Sequence, residues 1–353
     1  MKKLRFKIED YARSLIWYLD YGFFRLTHPF LKSIPKDVKS ILIIDLKFIG
    51  DLIIDTPTIR ALKQHYPYAK ISILVPKEMK EVLYNNPNLY KIYTDITEIN
   101  GHFDLGILLY PGNKFISSFL RKRASYRIGI RKSGFTEPKG YYLHRKTFPT
   151  FKIKHKIEDN LDVIKTLNIS SSDNHLELYL KNPKTNYKDY IVISPISKTH
   201  PTWSKKNFAE LADSLSKKYN KKIIFTGSEE NIPFIEDIQK NMKGDSINLA
   251  GKTSLQEFFS LIKNAYFVFC IDTSAQHVAA ALNIPVVALF SAGDKRIWSP
   301  YSKNSIAIQN SEVCIACMKS KCPLSEENYL ECVKSIIVEK VLEEISKLNL
   351  PNS

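Results

Sequence analysis

The chain has 353 residues, enough for two domains of ordinary size, and its 44% hydrophobic and 25% charged residues describe a globular protein with an adequate core. Its 52 Lys and Arg against 36 Asp and Glu leave a formal charge of +16, which favours an anionic partner: a phosphorylated substrate, an acidic membrane surface or nucleic acid. Five cysteines are too few for a disulfide scaffold, no cleavable signal peptide is evident and no window approaches an uninterrupted membrane span, so the sequence reads as a cytoplasmic protein.

Residues 1–38 read as an extension ahead of the fold. Leu15, Ile16, Trp17, Tyr18, Leu19, Tyr21, Phe23, Phe24, Leu26, Phe30 and Leu31 stand among Lys2, Lys3, Arg5, Lys7, Arg13 and Arg25. This aromatic-rich amphipathic pattern suits the interface of an anionic bilayer, and it equally suits packing on the protein's own surface.

The run ILII at 41–44 has the pattern of a strand buried on both faces of a parallel sheet. Helical spacing follows from 52 to 62, with a break or restart at Thr56-Pro57, and ISILV at 71–75 reads as the next strand. The resulting βαβ unit makes 45–51 the first strand-to-helix connection, where open α/β sheets bind ligands. Gly50 permits a tight turn there, and Asp51 behind it sits at the helix entrance, either pointing into the crevice or serving as an N-cap.

Strands are expected at 91–93 and 103–109, with a helix at 78–84 before them. Between Arg121 and Lys156 stand twelve Lys or Arg and one acid, Glu137, interleaved with Tyr126, Phe135, Tyr141, Tyr142, Phe148 and Phe151. That chemistry suits a phosphorylated lipid or sugar, or simply a solvated loop face; no nucleic-acid-binding motif accompanies it, so nucleic acid is not expected as a partner. A helix is expected at 155–167, with His155 capping or packing at its start.

Polar stretches at 170–174 and 181–188 look like an interdomain linker, after which alternation restarts with strands at 190–193 and 222–225 and helices at 208–217, 232–242 and 255–263. The sequence AYFVFCIDTSAQHVAAALNIPVVALFSAG then carries a buried strand at 266–271, a close-packed helix around 279–282 and a strand at 286–290. Small side chains at a helix start leave backbone N–H groups open to a phosphate, and the helix dipole favours that anion. Asp272, Thr273, Ser274 and His277 are therefore candidate anion-site residues, although capping alone also accounts for the first three. Two similar α/β blocks in tandem suggest two Rossmann-like domains facing each other across a cleft.

These blocks resemble glycosyltransferase family 9, the lipopolysaccharide heptosyltransferase family. The resemblance rests on Gly50-Asp51, Thr56-Pro57, Arg60, Leu62-Lys63 and Pro67, on Trp203 followed by Asn207-Phe208-Ala209-Glu210-Leu211, and on residues 249–257 and 272–290, and it spans about 40–336. It implies a GT-B fold with an acceptor-binding domain at 39–185, a nucleotide-sugar-binding domain at 186–336, and a C-terminal helix within 337–353 that can cross back to the first domain. It also implies that Asp51 is the general base of an inverting transfer, that Lys252, Thr253 and Ser254 line the nucleoside, and that Asp272, Thr273, Ser274 and His277 hold the diphosphate. Gly50, Arg127 and Arg131 are the corresponding candidates on the acceptor side. Two positions depart from the family pattern: Ser274 stands where a glycine is usual, and Pro201 where a lysine meets the donor phosphate, leaving Lys198 or His200 of the same loop to substitute, with Lys198 taken into the donor set.

The activity so implied is transfer of heptose from ADP-heptose to a Kdo-lipid A or inner-core acceptor. The expected partners are the nucleotide sugar, a lipid-linked oligosaccharide and an anionic membrane surface, with the protein peripherally associated with the inner membrane. No Asp-x-Asp motif occurs, which fits a metal-free mechanism requiring no cofactor besides the donor. A different nucleotide-sugar donor, a nucleotide-sugar epimerase and a non-catalytic nucleotide- or lipid-binding module remain as alternatives. Separately, Cys314, Cys317, Cys322 and Cys332 run as C-x2-C-x4-C-x9-C, near the spacing of a structural zinc site, with free thiols or a disulfide as the other readings.

Overall fold

The computed structural model describes residues 33–110, 114–130, 143, 145–147, 153–181, 184–310, 316–325 and 329–350. The amphipathic segment up to residue 32, Arg131 and Cys314 lie outside them. Two compact units are present: one holds the chain to Phe48, Asp55–Lys80 and Asn86–Asn174, and the other holds Ile49–Ile54, Glu81–Asn85 and His175–Ser353. The expected boundary near 185 therefore falls within the second unit, which also takes two short segments from early in the chain.

Strand β1 (Ser40–Ile44) has Ile41, Leu42, Ile43 and Ile44 fully buried, as an apolar run covered on both faces must be. Helix α1 (Ile49–Ile54) is followed after Asp55 by α2 (Thr56–His65), with Pro57 in its first turn, where the missing N–H is not needed. The interruption expected at Thr56-Pro57 is thus real, and Asn160 Nδ2 donates to Asp55 Oδ1 across 2.7 Å at the break. Then come β2 (Lys70–Leu74), a 3-10 turn over Lys77–Leu83 in place of the expected helix, β3 (Lys91–Tyr93) and β4 (Phe103–Leu108). Helix α3 (Lys114–Arg123) leads directly into β5 (Ala124–Ile130), and β6 (Arg145–Thr147) precedes α4 (Lys156–Lys165). His155 caps α4, its Nδ1 accepting from the N–H of Ile157 at 3.3 Å.

The first sheet is wholly parallel in the order β3-β2-β1-β4-β5-β6, with Ile41 opposite Ile71 on one side and Leu105 on the other. The basic stretch contributes β5 and β6 rather than only a solvated face. Ala124, Tyr126 and Ile128 turn inward, an alternation of period two.

The second unit repeats the pattern with β7 (Tyr190–Ser194), α5 (Lys205–Tyr219), β8 (Lys222–Phe225), α6 (Ile232–Asn241), β9 (Ser246–Asn248), α7 (Leu255–Lys263), β10 (Val268–Ile271), α8 (Ser274–Ala281), β11 (Val286–Phe290), α9 (Lys295–Trp298) and β12 (Ser305–Gln309). Its sheet is parallel in the order β12-β11-β10-β7-β8-β9. The C-terminal helix expected within 337–353 is α11 (Val338–Ser346), and a short α10 (Glu331–Lys334) precedes it. Val338, Val341 and Ile345 belong to the same buried cluster as Ile191, Phe208 and Phe269, so α11 packs in the core of the second unit instead of crossing back to the first. The reason is amphipathic spacing: these three residues share one face of α11, and burying that face is what holds a short helix.

Candidate functional site

In the second sheet, β10 and β7 are neighbours from which the chain departs in opposite directions, so their carboxyl ends flank a topological switch point. Asp272 follows β10 directly, its N–H donating to the carbonyl of Leu289 at 3.0 Å. Its carboxylate is held from three sides. Gln276 Nε2 donates to Oδ1 at 2.8 Å, His200 Nε2 on the loop after β7 lies 3.7 Å from Oδ2, and Gly293 after β11 leaves no room for a Cβ against the same oxygen. Burial pushes the Asp272 carboxyl up to about 6, against the opposing pull of the Gln276 bond. Burial lowers His200.

A carboxyl raised in this way favours the folded state most when protonated, below the unfolded value of about 4, and that contribution is lost as pH rises through about 6. Above that point the native protein carries a penalty of about 2–3 kcal/mol, because each tenfold change in proton affinity is worth about 1.4 kcal/mol. Asp272→Asn keeps an acceptor for Gln276 and removes the charge. It is expected to be more stable than wild type by about 2 kcal/mol at about pH 8 and equal to it at about pH 4, as read by urea unfolding at both.

Thr273 and Ser274 open α8. Thr273 is the N-cap, its Oγ1 accepting from the N–H of Ala275 at 3.2 Å, and Ser274 is the first helical residue. On the loop after β9, Lys252 Nζ donates to the carbonyl of Asn248 at 3.1 Å. Ser254, placed by sequence among the nucleoside residues, is the N-cap of α7. Its Oγ accepts from the N–H of Glu257 at 3.3 Å and donates to Glu257 Oε2 at 2.9 Å, a capping box that engages the hydroxyl locally.

Helix α1 belongs to this unit and packs on α8. Asp51 lies in its first turn, partly buried, not at the cap. Gly50 is buried inside the helix, and a Cβ there would come 2.6 Å from Cδ2 of His277, itself 4% exposed. The glycine is required for close approach of α1 to α8, not for the tight turn expected from sequence. Gly50→Ala is therefore expected to cost about 1–3 kcal/mol by overpacking. Combined with His277→Ala it should cost less than the sum of the single changes, which a double-mutant cycle of unfolding free energies would measure.

Several candidates are not brought to this group. Lys198 is exposed on the loop that carries His200. Arg127 Nη1 donates to the carbonyls of Ala124, at 2.6 Å, and Ser125, at 3.5 Å, turned back toward the amino end of β5. Among the described residues no three His, Cys, Asp or Glu side chains gather into a group able to hold a metal. Cys332 is packed in the hydrophobic core, and Cys322 Sγ accepts from the N–H of Leu330 at 3.3 Å. Cys317, Cys322 and Cys332 thus do not gather into a zinc-binding group among the described residues, and the fourth cysteine of the spacing, Cys314, lies outside them. Conversely, Gln276 joins the Asp272 cluster from one turn further along α8, a local contact the sequence motif held without marking it, and Gly293 joins it from the loop after β11, which strand order sets beside β10.

The sequence model described as Glycosyltransferase family 9 (heptosyltransferase) matches residues 98–328. Lipopolysaccharide heptosyltransferase 3 of Escherichia coli K12 is 25% identical over 297 residues, covering 74% of this chain and 85% of that protein. Among solved structures, a glycosyl transferase family 9 protein from Veillonella parvula superposes with a TM-score of 0.74 at 19% identity, covering 88% of this chain and 97% of its own. E. coli ADP-heptose lps heptosyltransferase II superposes with a TM-score of 0.70 at 20% identity, covering 87% and 97%. These likenesses establish the GT-B architecture, and with a family match over more than half its length the chain belongs to glycosyltransferase family 9, the heptosyltransferases.

Proposed function

We propose that the protein transfers heptose from ADP-heptose, with inversion, to a Kdo-lipid A type acceptor of the lipopolysaccharide inner core, working peripherally at the inner membrane. The observation that carries this reading is the packing of α1 on α8 through Gly50 and His277, because it joins the Asp51 helix to the helix that Asp272 and Thr273 open. The Asp51 carboxylate accepts the acceptor hydroxyl's proton as that oxygen attacks the anomeric carbon. The bond to the nucleoside diphosphate breaks, and its charge is met by the N–H groups at the start of α8. The proton then passes from Asp51 to solvent. Lys252 and Thr253 face the nucleoside, and the described residues have no helix long and apolar enough to cross a membrane.

Thermal unfolding with ADP, UDP, GDP and CMP tests the donor. A nucleotide that binds only the folded state stabilises it by about 2.7 kcal/mol at a hundredfold excess over its Kd. Selective stabilisation by ADP is the expected result. Selectivity for another nucleotide would move the donor to a different sugar, and no response to any would favour a non-catalytic module.

A further inference from the structure

His200 and Asp272 are far apart in the chain and meet only because β7 and β10 are adjacent. Their Nε2 and Oδ2 atoms are 3.7 Å apart, with side chains 10% and 13% exposed, close enough for an ion pair and too far for a full hydrogen bond. Two polar atoms flank them unspent: His200 Nδ1 and Gln276 Oε1 are buried without a hydrogen-bond partner among the described residues. The carbonyls of Lys319 and Thr199 lie toward the imidazole and favour its charged form without completing that bond.

Burial disfavours charge on both groups, raising the carboxyl and lowering the imidazole. Among the described residues, three titratable groups near the pair are placed otherwise. Cys270, at the end of β10, has its thiol pushed far up by burial and then by Asp272, and Asp294, beside Gly293, is held by Arg296 at 2.6 Å. His277 lies one turn further along α8, against Gly50. An anion arriving at the start of α8 reverses the balance, since nearby negative charge favours an imidazolium and a neutral carboxyl.

We propose that the His200–Asp272 pair takes up about one proton from solvent when a diphosphate binds at the start of α8, with His200 becoming the cation that meets the anion and Asp272 the residue that positions it. This rests on the reading of that helix start as the diphosphate site. It makes donor affinity pH-dependent in a direction that a purely structural pair would not.

The test is isothermal titration of the full chain with inorganic pyrophosphate and with ADP near neutral pH, in two buffers of different ionisation enthalpy, for wild type, His200→Gln and Asp272→Asn. The variants carry the same ligand ionisation, so their difference from wild type isolates the pair. Wild type is expected to take up about 0.5–1 proton more than His200→Gln, and its affinity to weaken with rising pH by up to about tenfold per unit more steeply. Asp272→Asn serves the same comparison if His200→Gln is poorly folded. Equal uptake in wild type and variants, or ADP binding without uptake, would overturn the inference while leaving the donor assignment standing. Uptake on binding UDP or GDP but not ADP would overturn the donor assignment and support the inference. No binding of pyrophosphate or of any nucleoside diphosphate would overturn both.

Discussion

Asp51→Asn is expected to lower kcat about 10²- to 10⁴-fold while leaving ADP affinity within about twofold, the range for losing a general base, which is the role proposed for Asp51. The substitution keeps the size and planarity of the side chain and removes only the basicity. Asp51 sits in the first turn of α1, where a carboxylate is favoured by the helix dipole, so a stability loss of about 0.3–1 kcal/mol should accompany the kinetic effect. The two are separable because the kinetic loss is far larger. Single-turnover transfer from labelled donor, measured together with ADP binding, decides the matter. Wild-type kcat in Asp51→Asn would place the base elsewhere.

Trp203→Ala should destabilise the second unit by about 3–5 kcal/mol. The indole is 1% exposed, meets Phe208 edge-on with ring centroids 5.4 Å apart, and donates from Nε1 to the carbonyl of Ile336 at 2.9 Å. Removing it opens a cavity between α5 and the sheet and also orphans that buried carbonyl, a further loss of about 1 kcal/mol or more. Trp203→Phe keeps most of the volume and loses the hydrogen bond, so it should cost clearly less. Urea unfolding of the three proteins gives the comparison. The effect should reach the site, because the loop ending at Trp203 carries His200 and is pinned where Ser291 Oγ donates to the carbonyl of Pro201 at 2.7 Å. Trp203→Ala is therefore also expected to bind ADP more weakly, whereas Trp203→Phe binds it nearly as well.

Much of the architecture was legible in the chain itself. Continuous apolar runs such as Ile41 to Ile44 and Val286 to Phe290 specify strands buried on both faces, and their alternation with amphipathic helices specifies parallel sheets. The break at Thr56-Pro57 and the cap at His155 were legible too, because capping and proline effects act within one turn of helix. The edge strand β3 was read at 91–93, but β9 and β12 were not. β9 and β12 carry only partly buried residues over most of their length, so little hydrophobic pattern distinguishes them from loops.

The site divides along the same line. Asp51 and the Asp272 turn stand in local motifs, each a buried strand followed by a short loop and a helix, and those motifs could be read in order along the sequence. The role of Gly50 could not, because it depends on His277 arriving from a distant helix. Nor could the choice of His200 over Lys198, since both sit on one polar loop and only the adjacency of β7 and β10 brings His200 to Asp272. The course of the C-terminal helix was open for the same reason: an apolar face declares that it will be buried but not which core buries it. Sequence by itself determined the elements and the chemistry of the turns, which depend on interactions a few residues long; tertiary structure alone decided which turns meet, because that follows from strand order and from packing between residues far apart in the chain.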